Sequence, residues 1–426
     1  MAEKPVSAAP SQTEDQRFAF HAQATFVVQS NLAFPASFEG LNSLHSRGET
    51  RETADVTFYA GVKPWVGGEL WINPEIDQGF GLANTLGAAG FPSAEAYKVG
   101  NAKPYVRLQR LFFRQTIGLG GEEETVEADL NQLGAHRRAD RLVLTVGKFG
   151  VGDVFDTNSY AHDPRADFLN WSVVEAGSFD YAADAWGYSY GGAAELYRGR
   201  VALRAGLFNL SKVPNNESLE TNFRQYEAVA ELEERHKLGG HEGKLKLTAF
   251  VNHGNMGRLG DAARLAALTG EGADVSLVRR FASRVGLDVN LEQAVTASLG
   301  LFARVGFADD RYEAFEFTDV DQTLSGGLSL KGGGWGRPKD RIGLALVVNR
   351  AGAPRRRYLD AGGLGILIGD GRLPHTGDER IVEGYYDFAV VKAAHVSFDA
   401  QLIDNPAYNR DRGPVMVLGG RLHAQF

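Results

Sequence analysis

The sequence contains no cysteine and no long hydrophobic run. Without cysteine, a disulfide scaffold and a thiolate metal site are both excluded. No stretch of roughly eighteen consecutive apolar residues occurs, so a transmembrane helix is excluded as well. The net charge of −8 argues against general nucleic-acid binding. These absences are compatible with a protein that crosses a membrane with β-strands. In such strands apolar and polar residues alternate, so no long apolar run is needed.

The first residues also lack the features of a secretory signal. Residues 1–16 are polar and charged and contain two prolines, whereas a signal peptide needs a basic start followed by an apolar stretch. We interpret residues 1–16 as a mobile N-terminal tail on a mature chain to which a methionine has been added. Residues 17–426 are expected to form a single domain.

Glycine is the residue type in excess. The 52 glycines are roughly 12% of the chain, against a usual ~7%. They follow no collagen period and form no low-complexity block, but lie in turns and within strand-like runs. This distribution suits a barrel, in which small residues permit bends and close approach of backbones.

The last residues of the chain alternate between two chemical classes. Leu418, Leu422 and Phe426 share one side of the pattern, while Arg421 and Gln425 fall on the other. A period of two predicts a strand with different surroundings on its two faces. In a soluble sandwich the apolar face would contact a core, and in a membrane barrel it would contact lipid. This segment alone is compatible with both.

The same alternation recurs along the chain, and short connections mostly alternate with long polar ones. This pattern predicts an all-β fold, a transmembrane antiparallel β-barrel of about sixteen strands with long outer loops. The long connections are predicted at 31–54, 76–103, 149–184, 209–224, 253–279, 350–378 and 403–414.

Two segments depart from the alternating pattern. Glu122–Gly134 has the composition of a short helix, although the strand count places it at the end of the barrel where turns should be short. Asp261–Gly270 reads as a helix within an outer loop.

Several long stretches carry a resemblance to a known family, in the right order and over nearly the full length. They are GELWINPEIDQGFGL (68–82), GFPSAEAYKVG (90–100), LFFRQTIGLGGE (111–122), NSYAHDPRADFLNW (158–171), FDYAADAWGYSYG (179–191), YLDAGGLGILIGDG (358–371) and NPAYNRDRGPV (405–415). With these stretches the chain resembles the carbohydrate-selective porins of the OprB type. The resemblance implies a sixteen-stranded barrel in the bacterial outer membrane, with one long outer loop folded inward, through which sugars diffuse passively, with no catalysis, cofactor or metal. It implies neutral sugars, outer-membrane lipid and the barrel-insertion machinery as partners, no nucleic acid, and a monomer or homotrimer.

The third outer loop, at about 149–184, is the predicted constriction. A sugar carries hydroxyls and flat C–H faces, so a pore that favours it needs paired donors and acceptors together with aromatic rings. We expect Asp163, Arg165 and Asn170 to bind hydroxyls and Trp171 to stack on the sugar. The alternative is that Asp163 begins a turn and Trp171 anchors the loop to the barrel wall.

The opposite wall should supply further charge. Glu69 is expected in one strand, and Arg107 and Gln109 share the lumen face of the next. Arg110 and Arg114 fall on the other face, where a lipid-facing arginine at mid-depth would cost roughly 2–4 kcal/mol. We therefore predict Arg107 and Gln109 at mid-pore, with the other two arginines near a rim unless a bulge changes the register.

Three functions are compatible with a barrel of this kind. The first is passive diffusion of mono- or short oligosaccharides through a narrow pore lined by arginine, carboxylate and aromatic side chains. The second is a polysaccharide export or general diffusion barrel, with a wider lumen. The third is an enzyme on a barrel scaffold, such as an acyl hydrolase, which the sequence disfavours because no nucleophile setting is recognisable.

Overall fold

The structure, a computed structural model, describes residues 16–426 as a closed barrel of antiparallel strands. The predicted all-β barrel of about sixteen strands is confirmed. Residues 1–15 of the predicted tail lie outside the described residues. The strands are β1 Phe18–Asn31, β2 Glu49–Val62, β3 Gly68–Gly79, β4 Asn101–Val126, β5 Ala135–Phe149, β6 Ser189–Arg198, β7 Val201–Asn209, β8 Tyr226–Leu238, β9 His241–Gly257, β10 Arg279–Ala294, β11 Leu299–Ala308, β12 Gln322–Gly332, β13 Arg337–Arg350, β14 Glu379–Val391, β15 Ala394–Asp404 and β16 Val415–Gln425.

Each strand pairs with its neighbours in sequence, and the first strand closes the barrel on the last. The closing register runs from Gln23 opposite Gln425 to Asn31 opposite Val417. Closure gives the backbone of every strand a partner on both sides, which hydrocarbon surroundings require.

The two faces of the strands differ as the alternation predicts. In β16, Leu418 is 46% exposed on the outer surface, whereas Arg421 is 2% exposed and lies inside the barrel. In β9, Leu245 and Leu247 are likewise exposed while Lys246 between them is buried. The outer surface is therefore apolar and the inner surface polar, the reverse of a soluble protein.

Eight long loops, L1 to L8, lie at one end of the barrel and short turns lie at the other. Seven of the loops correspond to predicted long connections, but L6 was not predicted and is a correction. Its composition contains Phe315, Phe317 and Val320, which resemble strand residues and are buried. The loops are L1 32–48, L2 80–100, L3 150–188, L4 210–225, L5 258–278, L6 309–321, L7 351–378 and L8 405–414.

Three α-helices lie within the long loops. They are α1 Trp171–Val174 in L3, α2 Leu259–Thr269 in L5 and α3 Ala353–Asp360 in L7, so the helix predicted at Asp261–Gly270 is confirmed. Among residues 16–426, no helix is both long and apolar enough to cross a membrane. Short 3-10 turns lie at Leu82–Asn84, Val151–Asp153, Val275–Val278, Gly333–Trp335 and Pro406–Tyr408.

The helix expected at Glu122–Gly134 is wrong. The segment begins as the end of β4 and continues as the turn to β5. Glu124 lies opposite Arg137 and forms an ion pair with it at 3.5 Å, and Glu123 lies opposite Arg138. The acidic run is therefore matched by a basic run on the neighbouring strand.

Candidate functional site

Loop L3 lies inside the barrel against the inner wall of β8–β16, which we call the filled side. Buried loop backbone needs hydrogen-bond partners, and carboxylates of the wall provide them. The Asp156 amide donates to Glu231 at 2.8 Å, and the Leu169 amide donates to Glu383 at 2.5 Å. These contacts hold the inward loop in place.

Buried arginines on the same wall hold L3 from their side. Arg304 donates to the Asp156 carboxylate at 3.1 Å and to the Val173 carbonyl at 2.7 Å. Arg284 forms an ion pair with Asp180 at 2.8 Å. All these charges are paired in the interior, as buried charges must be.

A cavity of about 820 Å³ is left beside the inner wall of β2–β6, which we call the open side. This lumen cavity extends from loops L2 and L3 to the β4–β5 turn at the other end of the barrel. Its lining mixes charge with aromatic rings, and includes Tyr59, Glu69, Phe91, Glu95, Arg110, Phe112, Arg114, Asp153, His162, Asp163, Arg165, Trp171, Glu175, Trp186, Tyr188 and Phe317.

A β-bulge brings both arginine sets of β4 to the inner face. The register between β3 and β4 shifts between Asn73 and Pro74. One extra residue in a strand reverses the alternation beyond it. Arg107 lies on one side of the bulge, and Arg110 and Arg114 lie on the other side, where they line the lumen cavity. The alternation alone would place one of these two arginine sets in lipid. Because of the bulge, both sets face the barrel interior.

Arg110 is held by a bidentate ion pair with a carboxylate at the start of L3. Its Nε and Nη2 donate to the two oxygens of Asp153 at 2.8 and 2.6 Å. The guanidinium also lies 4.8 Å from the centre of the Tyr188 ring. Burial raises the pKa of Asp153, but Arg110 outweighs burial and holds that pKa below its usual value. The pair therefore stays charged.

Arg165 joins L3 to the opposite wall and to L2. It forms ion pairs with Asp55 at 3.2 Å, Glu75 at 3.3 Å and Glu95 at 2.8 Å. Burial raises the pKa of Glu95 well above its usual value, although Arg165 acts in the opposite direction. One guanidinium thus serves several buried carboxylates and narrows the lumen at this level.

Two other predicted loop residues have contrasting positions. Asp163 lines the lumen cavity and also accepts the Arg165 amide at 2.9 Å, as in the turn alternative. Asn170 is fully buried, where it accepts the Ser172 amide at 3.0 Å and donates to Gln401 at 3.0 Å. The structure therefore places Asp163 at the cavity and Asn170 behind it, as the N-cap of α1.

Trp171 belongs to an aromatic cluster beside the lumen cavity. Its ring stacks on Phe91 at 5.2 Å and packs against Tyr181 and Phe317 at 5.6 and 5.4 Å. Its Nε1 has no hydrogen-bond partner among the described residues. Trp171 both anchors the loop and contributes to the cavity lining.

Glu69 lies on the cavity lining, at the level below the bulge. It accepts the Nε1 hydrogen of Trp71 at 2.8 Å, and its carboxylate lies 3.7 Å from Arg114. Trp71 is fully buried. Glu69 and Arg114 therefore form an ion pair that faces the cavity.

Arg107 and Gln109 lie outside the cavity lining. The Arg107 guanidinium lies 3.3 Å from the centre of the Trp186 ring and 3.5 Å from Asp184. Gln109 is fully buried and donates to Glu75 at 3.1 Å. Arg110 lines the cavity, and Arg107 contacts a tryptophan that lines it.

Three further arginines lie on polar faces of the alternating strands. Arg204 pairs with Glu231 at 2.6 Å, Arg341 pairs with Asp167 at 2.7 Å, and Arg304 holds L3. All three lie on polar inner faces, but none lines the lumen cavity.

His162 and Glu175 line the cavity but were not predicted as site residues. Their side chains lie 3.9 Å apart. Burial, and then the Asp156 carboxylate, raises the pKa of Glu175 well above its usual value. Burial, and then Arg304, lowers the pKa of His162. Both shifts favour uncharged side chains. No local motif marks these residues, because the sites that bury them are distant in sequence.

The β4–β5 turn crosses the other end of the lumen cavity. Beyond the rim the two strands pair only with each other, and their register is interrupted at Gly120. Asn131 at the tip accepts from the Arg114 side chain at 2.8 Å, and Gln425 of β16 donates to Asp129 at 3.4 Å. Because β16 lies several strands away, the hairpin bends over the lumen.

The lining combines charged hydrogen-bonding side chains with aromatic rings. Within residues 16–426, no group of three or more histidine, aspartate or glutamate side chains forms a candidate metal site. A closed sixteen-stranded barrel with an apolar outer surface, an inward loop and a charged lumen cavity defines an outer-membrane porin.

The chain belongs to the carbohydrate-selective porin, OprB family, whose model matches residues 42–426. The resemblance of the sequence motifs is thereby confirmed, and the protein is an outer-membrane carbohydrate channel. The family and the fold are those of channels. Comparison with curated protein sequences gives no match.

Several solved structures are similar in fold. The high-pH structure of Pseudomonas putida OprB has a TM-score of 0.73 at 18% identity, covering 96% of this chain and 94% of that one. The low-pH structure of the same protein has a TM-score of 0.52 at 16% identity, with coverages of 96% and 93%. The outer-membrane channel DcaP of Acinetobacter baumannii has a TM-score of 0.52 at 9% identity, with coverages of 96% and 97%. At these identities the likeness concerns the fold alone.

Proposed function

We propose that neutral mono- and short oligosaccharides diffuse passively through the lumen cavity, past a constriction formed by Arg110, Asp153, Arg165 and Trp171. The observation that carries this proposal is that paired arginines and carboxylates line the same narrow space as an aromatic cluster. Each guanidinium has five N–H donors in a fixed fork, so donors not used by the carboxylates can bind sugar hydroxyls.

Charge balance supports a neutral cargo. Arg110 is neutralised by Asp153, and Arg114 faces Glu69. A permeating ion would have to compete with one charged side chain of each pair for the other. A sugar hydroxyl can form a hydrogen bond to a side chain of the pair without breaking the pair. The ion pairs also fix these side chains at the lumen wall, which allows the constriction to keep one width without tight binding, as a channel requires.

The aromatic side chains supply the second part of sugar recognition. Trp171 and Phe91 stack on each other, and both reach the cavity lining together with Tyr188. Aromatic rings bind the flat C–H faces of a sugar through dispersion, which is weak for each contact and adds over several. Such contacts guide a sugar along the cavity without fixing it.

A wide export or general diffusion lumen is disfavoured by the filled side. L3 lies against β8–β16 with its backbone amides bonded to wall carboxylates such as Glu231 and Glu383. An occupied half-lumen suits small molecules better than a moving polysaccharide chain.

A titration of single-channel conductance tests the proposed function. In planar bilayers, glucose or maltose should lower the conductance of the wild-type channel saturably, because sugar in the constriction displaces ions. Urea at the same concentration, which forms hydrogen bonds but has no sugar-like face, should change it only through bulk conductivity. Equal effects of sugar and urea would rule out a sugar site in the constriction.

A further inference from the structure

A second cavity, of about 270 Å³, lies in the long loops, between L5, L6 and L7. Its lining shares no residue with the lumen cavity. It contains no acidic side chain and is mostly arginine: Arg258, Gly260, Arg264, Arg311, Pro354 and Arg357. We call it the arginine pocket.

The arginine pocket has more positive than negative charge around it. Arg264 pairs with Asp261 at 2.5 Å, and Arg311 pairs with Asp309 at 2.6 Å. For the other two lining arginines, Arg258 and Arg357, the described residues provide no ion pair. Guanidinium groups that share one cavity repel each other, so an anion in the pocket would lower the electrostatic energy.

Two helices begin at the pocket. Gly260 lies in the first turn of α2 and Pro354 in the first turn of α3, and both line the cavity. Both N-termini already have a carboxylate, since Asp261 lies in the first turn of α2 and Asp321 accepts the Gly352 amide at the start of α3 at 2.8 Å, so the arginines supply the net positive charge. The helices are fixed to each other through a buried apolar cluster that includes Leu259 and Tyr358. The lining arginines are thus held together by a rigid base.

We propose that the arginine pocket binds a phosphate monoester, carried either by a soluble sugar phosphate or by a phosphorylated glycolipid headgroup of the outer leaflet. A phosphate monoester has a charge of about −1.5 to −2 at pH 7, which matches the two arginines without carboxylate partners. Guanidinium groups bind phosphate oxygens in bidentate geometry. This site goes beyond the proposed sugar passage and is independent of it.

Calorimetric titration with inorganic phosphate tests the pocket in the full-length protein in detergent. Wild type should bind saturably, and the affinity should fall as salt is added, because the pocket is open to solvent. The double variant Arg258→Gln/Arg357→Gln should weaken binding by about tenfold or more. The matched control is Arg356→Gln, on the same helix but outside the lining, and it should bind as wild type does.

A second variant keeps the test decisive if the double variant folds poorly. Gly260→Asp adds a carboxylate at the pocket, where a Cβ would meet nothing within 4 Å. It should also weaken phosphate binding by about tenfold, by charge repulsion. Wild-type affinity in these variants, or no saturable binding of phosphate to the wild type, would overturn the proposal.

Two further titrations identify the source of the phosphate. Glucose 6-phosphate is compared with glucose, and vesicles containing lipid A are compared with vesicles of dephosphorylated lipid A. Arginine-dependent binding of either phosphorylated probe supports the pocket and names its source, whereas equal binding of phosphorylated and dephosphorylated forms would overturn it. Sugar block of the conductance should be unchanged in the pocket variants, so failure here is separable from failure of the sugar passage.

Discussion

Arg284 and Arg304, which hold L3 on the filled side, differ from Arg110, Arg114 and Arg165 beside the lumen cavity in how much of their surface remains free. On the filled side, the Arg284 and Arg304 side chains have 0% exposure and contact carboxylates and backbone carbonyls of L3. On the open side, Arg110, Arg165 and Arg114 keep exposures of 13, 14 and 26%.

The difference shows how one residue type serves two purposes in the same barrel. A guanidinium whose donors are all used by the loop fixes the loop and offers nothing to a ligand. A guanidinium that is paired on one edge and free on another can keep its carboxylate partner in place. Its free N–H donors can at the same time bind and release sugar hydroxyls. Under the proposed function, the filled side determines the width of the lumen and the open side determines what passes through it.

Removing an arginine from the filled side should have the largest effect. Arg304→Ala leaves Asp156 buried without its partner, so the free energy of unfolding should fall by about 3–5 kcal/mol, measured by denaturation in detergent. The matched open-side variant Arg114→Ala removes a partly exposed pair and should cost about 1 kcal/mol or less. Equal losses in both variants would contradict the distinction between the two sides.

A comparison of two β4 arginines should show which of them contacts the sugar. Arg110→Gln should raise the half-blocking sugar concentration about tenfold, equivalent to ~1.4 kcal/mol, because Arg110 lines the cavity. Arg107→Gln should change it less than about twofold, since Arg107 acts through Trp186. A larger effect at Arg107 would restore the assignment made from the sequence.

The junction of L2 with L3 on the open side should respond to pH through Glu95. Its pKa is raised, so the folded protein holds a proton that the unfolded chain releases, and stability falls as pH rises from ~4.3 toward the raised pKa. In Glu95→Gln, the loss of unfolding free energy over that pH interval should be smaller by about 1 kcal/mol. Thermal unfolding at several pH values measures this loss. The exposed Glu123→Gln should keep the wild-type slope, and an unchanged slope in Glu95→Gln would contradict the assignment.

Shortening the hairpin should have the smallest effect, and it tests whether the open side is narrowed at its far end. Replacing residues 121–138 by an Asn-Gly turn should raise single-channel conductance about twofold, because tip residues no longer line the cavity. The half-blocking sugar concentration should stay the same, since the constriction is untouched. An unchanged conductance would mean that the tip does not limit ion flow.

Much of the fold follows from local chemistry that the sequence displays. Alternating residues such as Leu418 and Arg421 specify which face of a strand meets lipid, and polar loops mark the strand ends. The helix predicted at Glu122–Gly134 failed because the partner of its acidic run, at Arg137 and Arg138, lies on another strand. Loop L6 was missed because its buried aromatic residues resemble strand residues.

The candidate site could be predicted only in part. The sequence directed attention to L3, and Asp163, Arg165 and Trp171 do line the lumen cavity. The sequence favoured Arg107 over Arg110 as the lumen arginine of β4. A strict alternation of faces cannot show where a one-residue bulge shifts the register. Glu175 and His162 carry no motif, and only the packing of L3 gives them their place.

The sequence by itself determined the strand pattern, the apolar outer surface and the family, since each depends on residues close together in the chain. Tertiary structure decided which arginines are free and which are consumed, because their partners lie far away in sequence. It also decided the bulge in β4, the bend of the β4–β5 hairpin and the convergence of arginines between L5, L6 and L7. Those features depend on how distant segments share a small volume, and that is settled only when the barrel closes.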